Sequence, residues 1–322
     1  MPNNTALLAD IGGTNVSFAL STDGDLFGHR SYKVADFAGL DQAIDHYARD
    51  RPGLALTAAC FAVACPISGD QVDLTNSAWS FSKNSIQSHL SVDRFLVVND
   101  FKALAAAVPS LDATHIIVVG SGAPAPDPAF PACVLGPGTG LGVALIGAGG
   151  GTVVDGEGGH MAFAALTEEE TEVCRVLRKR FGRVSYERLL SGSGLENIFD
   201  ALGVVGGYSE AMIRSEAAVI LAAVTEDVPD ARAVRALDLF CGVLGAFAGD
   251  LALLTNARGG VYLGGGILPR MRPFLQKSDF RARFEDKGRM SRIVQAIPTF
   301  GIDCDDAAFR GCRRLLAGQA TG

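Results

Sequence analysis

Glycines held between short apolar runs constrain this chain more than any other feature. The first such place is Leu7-Leu8-Ala9-Asp10-Ile11-Gly12-Gly13-Thr14-Asn15-Val16-Ser17-Phe18-Ala19-Leu20. Two strand-like runs flank an acidic, glycine-rich turn, which predicts a β-hairpin with special chemistry at its tip. Glycine lets backbone N–H groups approach an anion with no Cβ in the way, and Thr14 and Asn15 add side-chain donors. Asp10 would repel a bare phosphate. A divalent cation between them removes the conflict, because Mg2+ takes one or two carboxylates together with phosphate oxygens. An ordinary hairpin turn has the same composition, so this stretch alone leaves both readings open.

The pattern returns downstream, now without the acid, in Cys133-Val134-Leu135-Gly136-Pro137-Gly138-Thr139-Gly140-Leu141-Gly142-Val143-Ala144-Leu145-Ile146. This is a weak internal repeat in which Gly12 matches Gly138. A third glycine turn, Gly264-Gly265-Gly266, precedes Ile267-Leu268-Pro269. Two related hairpins, each opening one domain, imply similar halves facing a shared cleft, each offering its turn to one end of a polyphosphate.

At 322 residues, 48% hydrophobic and 20% charged, the chain is globular and long enough for two domains or one large one. A net charge of −7 leaves no broad basic face for nucleic acid or an acidic membrane. The basic stretches 175–183 and 281–292 are interspersed with apolar or acidic residues and read as solvated helix faces. Seven cysteines with no C-x-x-C pair, mostly in apolar runs, behave as small hydrophobes and fit a reducing cytoplasm. No basic segment precedes Asp10, so no signal peptide is read. The longest uncharged stretch, 128–154, contains eight glycines and three prolines and cannot hold a membrane helix. A soluble protein is expected.

Taken in order, the chain predicts a helix over 36–50 (Phe37, Leu40, Ile44, Tyr47), a buried strand over 54–64 and a turn at 66–70. Segment 72–81 holds Leu74-Thr75-Asn76 and the single tryptophan, Trp79. A short helix over 85–90 leads to a buried strand over 94–98, which ends at Asn99-Asp100 before a helical segment over 101–108. Polar side chains at the carboxyl end of a buried parallel strand sit where α/β sheets bind ligands. A helix N-cap would equally justify Asp100.

A strand over 116–119 precedes the glycine- and proline-rich loop 120–131, by composition the best domain boundary. Residues 153–164 carry Glu157-Gly158-Gly159-His160, either a metal-ligand pair or a structural histidine with a neighbouring glutamate. Helices are predicted over 168–181, 195–202, 209–224, 231–256 and 305–317, with Ser191-Gly192-Ser193-Gly194 breaking the chain. Gly242, Gly245 and Gly249 inside one of them indicate close packing against a neighbour.

No G-x-x-x-x-G-K-[ST], G-x-G-x-x-G or G-x-S-x-G sequence occurs. Three separated glycine turns, one with an acid, suit phosphoryl transfer, where catalysis is mostly positioning and charge neutralisation. Scattered Asp, Asn, Glu and His near strand ends suit a small polar substrate whose hydroxyls need oriented acceptors.

These residues resemble a known family. Asp10-Ile11-Gly12-Gly13-Thr14-Asn15 resembles the first phosphate motif of sugar kinases with the actin-like, hexokinase-type ATPase fold; 135–142 resembles the second, and 263–269 the adenosine motif. Ala64-Cys65-Pro66-Ile67, Leu74-Thr75-Asn76 with Trp79, and Val98-Asn99-Asp100-Phe101 resemble the bacterial ATP-dependent glucokinases. So do Glu157-Gly158-Gly159-His160, Glu187-Arg188-Leu189-Leu190-Ser191-Gly192 and Phe284-Glu285-Asp286-Lys287-Gly288-Arg289. The likeness spans nearly the whole chain. Asp305-Asp306-Ala307-Ala308-Phe309-Arg310-Gly311 departs from the glycine- and leucine-rich turn expected before the last helix. The zinc cysteines and DNA-binding helix-turn-helix of the related repressor/open-reading-frame/kinase family are missing.

The resemblance implies an α/β, two-domain actin-like ATPase (ribonuclease H-like) fold with an active-site cleft between a small and a large domain. The small domain would be 1–110 joined by the C-terminal helix, about 303–322, and the large domain 111–302. It implies a cytoplasmic enzyme moving the ATP γ-phosphoryl group to the 6-hydroxyl of glucose, commonly as a homodimer, with closure over the sugar excluding water. Asp100 would be the general base. Asn99, Glu157, His160, Glu187, Thr75 and Asn76 would bind the sugar together with Asp100. Asp10, Ile11, Gly12, Gly13, Thr14, Asn15, Gly138, Thr139, Gly140, Gly264, Gly265 and Gly266 would hold the nucleotide, with Asp10 near Mg2+, partly through water. A kinase of mannose, fructose or glucosamine, or a non-catalytic sugar sensor or actin-like filament protein, are the alternatives.

Overall fold

In the computed structural model the residues described are 5–51, 53–74, 77–120, 125–207, 216–223 and 230–318. The chain divides into two units, Met1–Asp112 with Cys304–Gly322, and Ala113–Asp303.

In the first unit β1 (Thr5–Ile11), β2 (Asn15–Thr22) and β3 (Asp25–Lys33) form an antiparallel meander. Helix α1 (Leu40–Ala48) leads to β4 (Ala58–Val63), then to the small hairpin of β5 (Gln71–Asp73) and β6 (Ser80–Ser82). Helix α2 (Lys83–Leu90), strand β7 (Arg94–Asn99) and helix α3 (Asp100–Ala107) follow. The sheet order is β3-β2-β1-β4-β7, with β4 parallel to both β1 and β7. Successive side chains alternate between faces. Leu7, Ala9 and Ile11 join Phe18, Tyr47, Phe61 and Trp79 in one core, while Leu8 packs on the other face with Ala19, Cys60 and Ala62.

Two expected elements are shorter than their apolar patterns. The 36–50 helix begins only at Leu40, after a single 3-10 turn at Val34–Asp36. The 54–64 strand shrinks to 58–63, because its ladder matches β1 only from Ala6↔Ala58 to Ile11↔Val63. An apolar run marks burial; the partner strand sets the length.

The second unit opens with β8 (Ile116–Val118), β9 (Ala132–Pro137), β10 (Leu141–Ile146) and β11 (Val153–Gly156). Helices α4 (Glu168–Phe181), α5 (Gly192–Val205), α6 (Ala217–Ala223) and α7 (Ala231–Thr255) follow. Strand β12 (Val261–Leu263), helices α8 (Leu268–Leu275), α9 (Phe280–Glu285) and α10 (Ser291–Gln295), and strand β13 (Thr299–Ile302) complete it. The sheet order is β11-β10-β9-β12-β13-β8. Apart from the antiparallel edge strand β8, this repeats the first unit: a three-stranded meander followed by two parallel strands. The match of Gly12 with Gly138 is thus a match of whole sheets.

Because β8 pairs with β13, the loop 120–131 lies inside the second unit and is not the boundary its composition suggested. Ser191-Gly192-Ser193-Gly194 does not break the chain: Ser191 caps α5, its Oγ accepting the Gly194 N–H, and the glycines form the first turn. Of the 209–224 helix only 217–223 is described as helical; 208–215 and 224 lie outside the described residues.

Among the described residues α7 is the one helix long and apolar enough to span a bilayer, but most of it is buried as the core of this unit. Its Gly245 and Gly249 admit the backbone of α9, the neighbour those glycines predict. Arg283 of α9 reaches the buried Glu170 of α4 at 2.7 Å, and Glu170 also accepts the Leu166 N–H at 2.6 Å. After β13 the chain returns to the first unit as α11 (Ala307–Gly318), whose Phe309, Cys312 and Leu316 cover Leu8 and Cys60.

Candidate active site

Three parallel strands of the first unit end in one row. Register places Ile11, Val63 and Asn99 side by side, with Asp10, Ala62 and Val98 one step behind. At a strand spacing of about 4.8 Å, the Asp10 and Asn99 strands are roughly 10 Å apart. This is the carboxyl edge where α/β sheets bind ligands. The local chemistry there differs from expectation in one respect. The cap of α3 is Asn99, not Asp100: the Asn99 Oδ1 accepts N–H bonds from Phe101 at 2.9 Å and Lys102 at 3.3 Å. Its amide nitrogen is therefore the group that remains for a ligand hydroxyl. Asp100 begins α3, and its Oδ1 accepts the Phe101 N–H at 2.9 Å, which fixes the carboxylate. Thr75 and Asn76 lie outside the described residues.

Burial pushes the Asp10 carboxyl up to about 6, against an opposing pull from His29. A desolvated carboxylate beside a glycine turn, with no salt-bridge partner among the described residues, fits a hydrated divalent cation, which takes few protein ligands. The turn itself is closed by the Gly12 N–H, which donates to the Asn15 carbonyl at 3.0 Å, while the Thr14 carbonyl accepts from Val34 at 3.0 Å. The cradle expected of Gly12, Gly13 and Thr14 therefore narrows to the amides of Gly13 and Thr14, with Ile11 and Asn15 as its strand ends. Cys65 lies close enough for Asp100 and Asp73 to reinforce the upward push of burial on its thiol.

In the second unit the glycine turns converge. The Gly138 N–H donates to the Gly140 carbonyl at 2.8 Å, a closure one residue tighter than that made by Gly12, in which the amides of Thr139 and Gly140 take no part. Its carbonyl accepts the Gly192 N–H at 2.9 Å, which ties the turn to the start of α5. The 264–266 turn lies against the same hairpin backbone: a Cβ at Gly136 would stand 1.9 Å from the Gly264 carbonyl oxygen. Gly265 has φ +96°, and a Cβ there would meet the Pro137 carbonyl oxygen at 2.4 Å. Only glycine fits at either place.

Beside these turns lies a polar cluster. His160 Nε2 is 3.9 Å from Glu157 Oε2 and 3.9 Å from Glu187 Oε1. The Glu187 Oε2 accepts the Leu141 N–H at 3.0 Å. Glu157 and His160 are exposed, and a 3-10 turn at Gly158–His160 brings them together. No group of three or more metal-type side chains gathers closely enough to bind a metal among the described residues. The cluster offers carboxylate and imidazole partners to hydroxyl groups.

Sequence reasoning missed the Leu141 N–H and the Gly138–Gly192 contact. Both are backbone interactions between distant segments and leave no residue-type signal. It also missed a cavity of about 330 Å3 lined by Arg180, Phe181, Arg188, Ser193, Glu196 and Asn197, which opens next to Gly192.

A family described as glucokinase matches residues 7–319. The chain is 42% identical over 314 residues to a glucokinase of Chromobacterium violaceum, covering 97% of this chain and 89% of that protein. It is 40% identical over 316 residues to the bifunctional protein glk of Paraburkholderia xenovorans, covering 97% of this chain and 49% of that protein. The chain thus spans about half the length of that relative. The crystal structure of a glucokinase from an Antarctic psychrotroph is similar with a TM-score of 0.87 and 36% identity, over 98% of this chain and 99% of that one.

Proposed function

The chain belongs to the glucokinase family, and on that premise we propose that it transfers the γ-phosphoryl group of ATP to the 6-hydroxyl of glucose, giving glucose 6-phosphate and ADP. The observation that carries the proposal is the strand-end row in which Asp10 and the Asn99-Asp100 pair share one sheet edge. In this reading the acid proposed for the phosphate side and the base proposed for the hydroxyl side stand at the same edge of one sheet, Asp100 directly after the last rung at Asn99.

In this reading Asp100 accepts the 6-hydroxyl proton as the oxygen attacks the γ-phosphorus, and the fixed Oδ1 holds the carboxylate in place. Asn99, Glu157, His160 and Glu187 bond the remaining hydroxyls, with Thr75 and Asn76 as further sugar ligands. The amides of Gly13, Thr14, Thr139 and Gly140 contact phosphate oxygens, and Gly264, Gly265 and Gly266 leave room for the nucleoside. The cavity beside Gly192 is large enough to take part of a base. Mg2+, held near Asp10 through water, would supply charge neutralisation on the phosphates. Transition-state stabilisation here is mainly positioning of this kind.

Seven unpaired cysteines support action in a reducing cytoplasm. A net charge of −7 supports a reading without nucleic acid or membrane. A homodimer follows from the family resemblance and is tested by sedimentation. The test of function is glucose 6-phosphate formation by purified protein with ATP, Mg2+ and glucose, run in competition with mannose, fructose and glucosamine. The highest kcat/KM is expected for glucose; a higher value for another sugar overturns the substrate, and no turnover with intact glucose binding overturns the reaction.

A further inference from the structure

We infer that Glu187 is a positioning residue for the phosphoryl donor: its carboxylate braces the 138–140 turn and couples sugar binding to donor binding. The inference rests on the reading of that turn as a phosphate site and of Glu187 as a sugar ligand. The Glu187 Oε2 accepts the N–H of Leu141, the first residue after the turn, at 3.0 Å. The other oxygen lies 3.9 Å from His160 Nε2 and is left for a sugar hydroxyl. The turn is held at its opposite end as well, where the Gly138 carbonyl accepts the Gly192 N–H at 2.9 Å. Between these two anchors the 187–192 segment is closed on itself, since Ser191 Oγ donates to the Glu187 carbonyl at 2.9 Å.

Gly140 supplies an independent observation. Its φ lies outside the left-handed region, so its backbone alone does not demand glycine. A Cβ there would stand 2.5 Å from Glu187 Oε2. A side chain at 140 would therefore have to displace the carboxylate from its place at the turn. The absence of a Cβ at 140 is what lets the carboxylate stand against the turn. A hydroxyl that pulls on Oε1 therefore acts on the same rigid carboxylate that holds the turn, and the coupling is reciprocal.

The test is binding of the Mg2+ complex of AMPPNP, a non-hydrolysable ATP analogue, with and without glucose. Glu187→Ala is expected to weaken AMPPNP about tenfold without any glucose present, as for the loss of one charge-assisted bond. It should also abolish the change in AMPPNP affinity that glucose produces in the wild type. Gly140→Ala keeps the glutamate but displaces it, and should lose donor affinity in the same way. Glu187→Gln retains an oxygen for the Leu141 N–H, so donor affinity should return to within about twofold of wild type while glucose affinity stays low. A merely structural role moves melting temperature and leaves the glucose-free donor affinity intact. If Glu187→Ala does not fold, Gly140→Ala and Glu187→Gln carry the test. Wild-type donor affinity in both alanine variants, or a glutamine variant as weak as alanine, overturns the inference alone. A wild type that does not bind AMPPNP overturns the reading of the turn, and the inference with it.

Discussion

Asp10→Asn separates what the fold tolerates from what the chemistry needs. Burial moves this carboxyl from 3.8 to about 6, and roughly two pH units at about 1.36 kcal/mol each amount to about 3 kcal/mol. The sign follows from proton binding. The folded state binds the Asp10 proton more tightly than the unfolded state, so the penalty is absent below 3.8, builds between 3.8 and 6, and is complete above 6. Asparagine carries no charge at any of these pH values. Near pH 8 and in chelator, the variant is expected to be more stable than wild type by up to about 3 kcal/mol, or roughly 6–12 °C in Tm. Near pH 4 the two should melt together. The same variant should lose kcat by on the order of 10² with Mg2+ and ATP, since the carboxylate that would hold the hydrated cation is gone. Thermal melts across this pH range decide the matter: a Tm difference that does not grow between pH 4 and pH 8 refutes the account of a desolvated carboxylate awaiting a cation.

Other outcomes follow from single contacts. Asp100→Asn should leave glucose affinity largely intact while kcat falls by roughly 10² or more, read in the coupled assay; a near-normal kcat removes Asp100 from the chemistry. Arg283→Met leaves the carboxylate of Glu170 buried without its 2.7 Å partner and should destabilise the second unit by about 3–5 kcal/mol in urea melts. Gly311→Ala sets a Cβ 1.7 Å from the Ala103 carbonyl oxygen and should cost about 1–3 kcal/mol or more as α11 is pushed from α3. A Tm within error of wild type would show that the helices part freely.

What could be read beforehand was local. Both glycine hairpins were visible because two apolar runs around a turn admit little else, and β1-β2 and β9-β10 are those hairpins. Helix α4 runs over 168–181 as predicted because Thr167 caps one end and Gly182, at φ +71°, stops the other. What could not be read depends on partners distant in sequence. The choice of Asn99 over Asp100 as cap turns on backbone dihedrals at one peptide, and both residue types are good caps. The length of β4 is set by β1. The bond from Leu141 to Glu187 joins residues 46 apart, and its donor is a main-chain N–H that any residue type would supply. Family resemblance supplied the names of the site residues; only the geometry says which of their atoms are already engaged.

The path of the chain has a consequence for how the molecule is made. The second unit, Ala113–Asp303, is one uninterrupted stretch and can close on itself as soon as it leaves the ribosome. The first unit cannot. Its sheet is synthesised at the outset, but one face has only α3 on it until α11 arrives, and bonds that dock this helix reach back 222 residues from Leu316 to Arg94 and 208 from Arg314 to Ala106. Leu8, Cys60 and Ala62 therefore pass through most of translation without their cover. A chain stopped short of Ala307 would hold a finished second unit and an unfinished first one, open to chaperones and proteases at the strand that carries Asp10 and at the strand that leads into Asp100. The first residues made are the last to be completed.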